Sequence, residues 1–253
     1  MSVELSVILP TYNAAGHIGS SVNQLLAFLE EHGIAGEIIV VDDGSSDGTA
    51  GVVPVNDRVR VVRLEENRGK GAAIRAGMQQ ATGSIRAFTD ADLPYGTDPF
   101  LLARRYIGER GFHAVAGDRT LPGSSYQHEG LLRRSVSAAA GLIFRTLVTG
   151  GIYDTQCGFK AFRGDVAAEL FRISRIDGFA VDVELIYLLL KHRLDIKRVP
   201  VRLRFNAGSS VHVVRDSLRA GVDILSMRAN WARGRYRSSA LRAILATESQ
   251  APQ

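Results

Sequence analysis

"IRAFTDADLPYG", residues 85–96, sets an apolar run against two aspartates, Asp90 and Asp92, that flank a single alanine. The run reads as a buried strand, and carboxylates at the rim of an apolar core are costly unless a cation compensates them. Similar runs lie on the N-terminal side. "LSVILP" (5–10) is continuously apolar and ends in proline, and "EIIVVDD" (37–43) ends in acid before Gly-Ser. "RVRVVRL" (58–64) alternates at period two, while 17–30, 70–81 and 97–109 carry apolar residues at helical spacing. This interleaving of strands and helices predicts an α/β fold with a mostly parallel sheet and helices on both faces. Ligands of such sheets bind beyond the carboxyl ends of the strands. "PTYN", "DDGSSDGT" and "DADLPY" each follow such an end. Three strand ends therefore converge on one crevice.

The second half is less regular. A long helix is expected over 130–149, followed by a loop "DTQCGFKAFRG", a helix across "VDVELIYLLLKH" and a strand at "IKRVPVRLRF". A helix over 213–231 places Val214, Leu218, Val222, Leu225 and Trp231 on one side, and "TESQAPQ" reads as a frayed end. The chain divides into a catalytic domain at 1–212, a basic amphipathic helix at 213–240 and a flexible tail at 241–253.

Composition narrows the class. The 253 residues are 45% apolar, enough for one large core. The N-terminus "MSVELSVILPTYN" has no signal-peptide character. No run approaches the roughly 18 apolar residues of a membrane span, the nearest being "AAAGLIF" at 138–144. The lone Cys157 excludes an internal disulfide framework and fits a reducing cytoplasm; it reads as a small buried side chain. The net charge of +5 is uneven, with basic residues outnumbering acidic ones about five to one between Lys197 and Arg242. No nucleic-acid reading motif accompanies that charge, so nucleic acid is not the expected partner.

Asp90 and Asp92, two apart where the chain leaves a strand, offer hard oxygen ligands suited to Mg²⁺ or Mn²⁺; a capped turn is the alternative. Ser45, Ser46, Asp47 and Thr49 read as caps for a following helix. Asp42 and Asp43 crown the second strand, where a carboxylate can accept bonds from a base or ribose. "ENRGKGAA" (66–73) sets glycines around Lys70 at a helix start, a place that favours phosphate or another polar ligand. It is neither a Walker A loop nor a dinucleotide fingerprint. Tyr12 is positioned to stack on a base.

Taken in order, "ILPTYNAAGHI", "EIIVVDDGSSDGT", "NRGKGAAIRAGM", "FTDADLPY", "AGDRT", "DTQCGFKAF" and "FAVDVELIYL" resemble the family-2 glycosyltransferases of GT-A fold. Among these they are most similar to the polyprenyl-phosphate sugar transferases, in the dolichyl-phosphate glucosyltransferase and dolichol-phosphate mannose synthase branches. The resemblance spans about residues 5 to 212 and implies a Rossmann-like GT-A mixed sheet. It implies a nucleoside pocket lined by Pro10, Tyr12 and Asp42, with Asp43 and Lys70 beside it. Asp90 and Asp92 would hold Mg²⁺ or Mn²⁺ against the donor diphosphate. Arg119, Arg133, Ser137 and Arg204 would meet the acceptor phosphate, and Asp154 would lie near the acceptor as base or as orienting residue for an arginine or Lys160. The implied reaction moves a hexose with inversion from a nucleotide sugar, UDP-glucose before GDP-mannose, to dolichyl or undecaprenyl phosphate. The chain would then work peripherally at the cytoplasmic face of a membrane, with Trp231 at the lipid boundary.

The chain departs from the family pattern in three places. Ala14 stands where many relatives have Glu, and Leu93 and Pro94 follow the aspartate pair where many have a polar residue. Asp182 and Glu184 sit at a helix start, where favourable charge at the helix N-terminus competes with contact to sugar or acceptor. Two other functions are weighed against the leading one. One is transfer to a saccharide or small-molecule hydroxyl, which needs a working base; the other is a catalytically silent nucleotide-sugar or membrane-surface binding module.

Overall fold

A computed structural model describes residues 2–124, 154–203 and 213–249. Seven strands form one sheet: β1 (Leu5–Thr11), β2 (Gly36–Asp42), β3 (Val59–Arg63), β4 (Ile85–Phe88), β5 (Ala114–Asp118), β6 (Lys160–Arg163) and β7 (Ile196–Pro200). Their order is β3-β2-β1-β4-β6-β5-β7. Every pairing is parallel except those of β6, which runs antiparallel to both β4 and β5. The described helices are α1 (Ile18–Glu31), α2 (Lys70–Gln80), α3 (Asp98–Ala103), α4 (Gly164–Ile173), α5 (Val181–Lys191), α6 (Val213–Ala232) and α7 (Ser239–Ser249).

Alternation along the strands divides the interior in two. Leu5, Val7 and Leu9 of β1, with Ile38 and Val40 of β2, pack against Ile18, Val22, Leu25 and Phe28 of α1 and Phe100 of α3. Ile8, Ile39 and Val41 face the other way, onto α2, α4 and α5. Both faces are thus covered, as the continuous apolar runs require of central parallel strands.

Several expectations are corrected. The stretch expected as a loop at "DTQCGFKAFRG" contains β6; β5, which follows the expected helix 97–109, and α4, in the irregular second half, went unread. The expected helix 97–109 is α-helical only to Ala103 and continues as a π-helical segment, Arg104–Glu109. The expected tail at 241–253 is helical through Ser249, with Leu241 buried in the core beside α4 and α5. Val222 and Leu225 stand on the surface, at 66% and 70% exposure, while Met227 is buried. Trp231, expected at a lipid boundary, is partly buried, its ring packed edge-on against Tyr187 and His192. The expected helix at 130–149 lies outside the described residues.

The start of α2 also differs from expectation. Two of the N–H groups of its first turn, on Gly71 and Ala72, donate to the Asp177 carbonyl at 2.7 and 3.2 Å, so these two are not open to a phosphate. That docking needs glycine, because a side chain at position 71 would overlap the Ile176 carbonyl. Gly71→Ala is expected to lower stability by about 1–3 kcal/mol, the range for overpacking a tight contact, measured by denaturant unfolding.

Candidate active site

The carboxyl ends of β1, β2 and β4 lie side by side, with Pro10 opposite Val41 and Thr11 opposite Asp42 in the β1–β2 register. The two loops that follow are laced together. Asn13, at a left-handed φ of 51°, donates its backbone N–H to Ser45 Oγ at 2.9 Å. Ala14 N–H donates to Thr49 Oγ1 at 2.8 Å, Ala15 N–H to Asp47 Oδ2 at 3.0 Å, and Ser46 N–H to Asn13 Oδ1 at 3.0 Å. Only a 3₁₀ turn, Thr49–Val52, follows; Asp47 Oδ1 accepts the Thr49 N–H at its start at 2.9 Å, while Ser45, Thr49 and the other Asp47 oxygen satisfy backbone donors of the β1 loop. Tyr12, with its neighbours so fixed, projects 52% exposed over the crevice.

Asp42 and Asp43 are both buried but do different things. Asp43 is a brace: its two oxygens accept the backbone N–H groups of Arg68 and Gly69 at 2.9 and 2.8 Å. Asp42 accepts from Ser45 N–H through Oδ1, whereas its Oδ2 has no hydrogen-bond donor and only Arg63 Nε at 3.5 Å. An acceptor left in that state at a strand end is suited to a ligand donor.

Asp90 and Asp92 leave β4 in a turn closed by Leu93 N–H on the Asp90 carbonyl at 3.0 Å. Leu93, at a φ of 48°, and Tyr95 are buried in the α1-side core. The departure from the family pattern thus has a structural account: the residue after the aspartates anchors the turn rather than adding a ligand. Asp90 Oδ1 accepts from the Lys70 ammonium at 2.7 Å, and the same ammonium lies 3.6 Å from Asp182 Oδ2. Asp182, at the start of α5, also binds the buried Lys160 Nζ at 2.5 Å, and Lys160 donates to the Cys157 carbonyl at 2.9 Å. Lys160 faces Phe88 across the β4–β6 pair. Burial works against the charge on Asp90, but Lys70, then Lys160 and Arg119, outweigh it and hold its carboxyl below the usual range. Asp92 moves the other way: burial, then repulsion from Asp90, raises it. Burial pushes the Cys157 thiol up to about 11, in keeping with a purely packed side chain.

Gly158 lies against the outer oxygen of Asp90, where a methyl group would overlap both Oδ2 and Cγ. Gly158→Ala should therefore displace Asp90, and the overlap is expected to lower stability by about 1–3 kcal/mol, the range for overpacking a tight contact, measured by denaturant unfolding.

Arg119, just past β5, forms a fork with Asp154: Nε to Oδ2 and Nη2 to Oδ1, both 2.8 Å, with the Arg119 backbone N–H also on Oδ2 at 2.8 Å. Burial opposes the charge on Asp154, yet the Arg119 hydrogen bond and charge hold its carboxyl below the usual range. Both oxygens of Asp154 are thereby committed to the guanidinium. Glu184 is committed too, accepting from Arg175 and Ile176 N–H and from the Tyr236 hydroxyl. It supports the loop that docks on α2 and does not face a ligand. Arg133, Ser137 and Arg204 lie outside the described residues. The sequence reading named Lys160 and Asp182 without linking them to Lys70, and gave Gly158 no role; the only sequence signal was their presence in "CGFK" and "VDVE".

Among the described residues, no third His, Cys, Asp or Glu joins Asp90 and Asp92 in a metal cluster. Two carboxylates are still an adequate protein share for Mg²⁺ or Mn²⁺, which commonly take one or two carboxylates and fill their shell with water and substrate phosphate oxygens. The outer oxygen of Asp90 and the carboxylate of Asp92 are the groups that would hold such an ion.

Comparison with known proteins fits this geometry. Dolichyl-phosphate beta-glucosyltransferase of Drosophila melanogaster is 32% identical over 269 residues, covering 95% of this chain and 79% of the relative. The protein of the same name from Homo sapiens is 31% identical, covering 92% and 78%. Among solved structures, mannosyl-3-phosphoglycerate synthase from Rubrobacter xylanophilus superposes with a TM-score of 0.68 at 20% identity, over 94% of this chain and 76% of that one. Glucosyl-3-phosphoglycerate synthase from Mycobacterium tuberculosis, solved with Mn²⁺, UDP and glucosyl-3-phosphoglycerate, gives 0.65 at 22%, over 89% and 80%. These structures share the α/β fold expected from the sequence. The profile of "Glycosyl transferase family 2" matches residues 6–171, so with strand ends, aspartate pair and profile in agreement, the chain belongs to glycosyl transferase family 2.

Proposed function

We propose that this glycosyltransferase moves glucose from UDP-glucose, with GDP-mannose as the next candidate donor, to a polyprenyl phosphate, inverting the anomeric centre. The glucosyl donor and lipid acceptor follow the name shared by the relatives. The observation that carries the acceptor class is the Arg119–Asp154 fork, which leaves Asp154 unable to act as a free base. A phosphate monoester has a second pKa near ~6 and is already anionic at neutral pH, so it needs no base. A sugar or small-molecule hydroxyl would. Asp154 instead orients Arg119, whose guanidinium suits a phosphate through charge-assisted bonds.

On the donor side, Tyr12 and Asp42 would receive the nucleoside, while Asp90 and Asp92 hold a divalent ion and Lys70 adds a cation beside it. The ion would supply charge neutralisation for the leaving diphosphate. Positioning and electrostatic compensation, more than proton transfer, would then carry the rate. Arg133, Ser137 and Arg204 complete the proposed acceptor side.

The test is an assay of UDP-glucose and GDP-mannose against short polyprenyl phosphates, with 3-phosphoglycerate and an unphosphorylated polyprenol as control acceptors. The expected result is chelator-sensitive glucosylation of the polyprenyl phosphate alone. Equal turnover of the polyprenol would overturn the acceptor class.

We also propose peripheral attachment to a cytoplasmic membrane face. Among the described residues no helix is long and apolar enough to cross a membrane. Val222 and Leu225 project from α6, a helix that also carries Arg215, Arg219 and Arg228. Replacing both apolar residues with Glu is expected to reduce co-flotation with anionic vesicles roughly tenfold, by loss of apolar burial and added repulsion.

A further inference from the structure

The chain Lys160–Asp182–Lys70–Asp90 does more than connect β6, α5, α2 and β4. Lys160 is 1% exposed and Asp182 3% exposed, so their pairing is fixed within the interior. Lys70 is in turn shared between Asp182, at 3.6 Å, and Asp90, at 2.7 Å. Within this chain the ammoniums of Lys70 and Lys160 balance the carboxylates of Asp90 and Asp182, leaving Asp92 as the uncompensated charge. Among the described residues the Asp92 carboxylate has no ion-pair partner. A dication approaching the aspartate pair alone would therefore meet one net negative charge and, on Asp90, an ammonium already in place.

We propose that Lys70 is a resident counter-ion that keeps Asp90 from binding a divalent cation until a nucleoside diphosphate arrives. The diphosphate offers Lys70 another anionic partner and offers the cation further oxygen ligands, so both obstacles fall together. Metal and donor then enter as one unit, and metal without nucleotide is held weakly. This inference rests on the reading of Asp90 and Asp92 as the donor's metal site. Lys70 acts here through Asp90, as a positioning residue.

The test is Mn²⁺ binding to the full chain, followed by the electron paramagnetic resonance of free Mn²⁺, with and without UDP and corrected against UDP alone. Wild-type affinity for Mn²⁺ is expected to rise at least roughly tenfold when UDP is added, and Lys70→Gln should raise the UDP-free affinity by about the same factor, since it removes the opposing charge at Asp90. UDP affinity without metal should fall in the same variant. Equal wild-type Mn²⁺ affinity in the two states, or a folded Lys70→Gln chain with no gain, overturns the proposal and leaves the metal site standing. Absence of Mn²⁺ uptake even with UDP overturns both. The wild-type comparison decides the matter if Lys70→Gln fails to fold.

Discussion

Asp92→Asn is expected to lower kcat/KM on the order of 10³-fold, the effect of losing several kcal/mol of charge stabilisation on a departing diphosphate. The fold should not suffer. Among the described residues Asp92 braces no other segment, whereas Asp43 holds the Arg68–Gly69 backbone and Asp90 holds Lys70. Its carboxyl is raised by burial and by Asp90, so the folded chain takes up a proton there more readily than the unfolded chain. What this group adds to stability is therefore full below its unfolded value of 3.8 and is lost as pH rises through the folded value. Above that window, in chelator, Asp92→Asn should melt at or above the parent temperature. A large drop in melting temperature would mean that Asp92 is structural and the activity loss indirect.

The second large effect concerns Asp154, where two substitutions separate two roles. Asp154→Ala removes the carboxylate that the Arg119 fork grips. The expected cost is about 3 kcal/mol, the low end for breaking a buried pair, because 31% of the Arg119 side chain remains exposed. Asp154→Asn keeps a hydrogen-bond acceptor for Arg119 and should preserve more of the fold. With a polyprenyl phosphate acceptor it should retain turnover, lowered roughly 10- to 100-fold by looser aim of the guanidinium. Complete loss of turnover in a folded Asp154→Asn chain would return Asp154 to the role of base. The pH behaviour runs opposite to that of Asp92. Asp154 is held below its usual range, so its contribution is present above 3.8 and lost as pH falls through the folded value.

The parallel half of the fold was legible because its signals are local. β1 and β2 are unbroken apolar runs, and α1 and α2 show helical periodicity within single windows. β6 escaped because four residues, "KAFR", carry no period, and its first residue, Lys160, looks like a surface residue until Asp182 is placed beside it. The site was legible to the same degree. Aspartates at strand ends announce themselves, and the motifs put Arg119 and Asp154 on the acceptor side without pairing them, Asp154 being matched to an unspecified arginine or Lys160. The polar run 45–49 was recognised but read as caps alone, whereas Ser45, Asp47 and Thr49 also satisfy N–H groups of a loop more than thirty residues earlier. Lys70 and Asp182 are over a hundred residues apart, and no local pattern signals their contact.

The bond from Tyr236 to Glu184 bears on how the polypeptide is made. Glu184 steadies residues 175–176, the adjoining Asp177 carbonyl seats the start of α2, and that helix begins with Lys70. Sequence made early is thus finished by sequence made late. On the ribosome, Glu184 can gain this last bond, and through it the support that reaches the start of α2, only once residue 236 has cleared the exit tunnel.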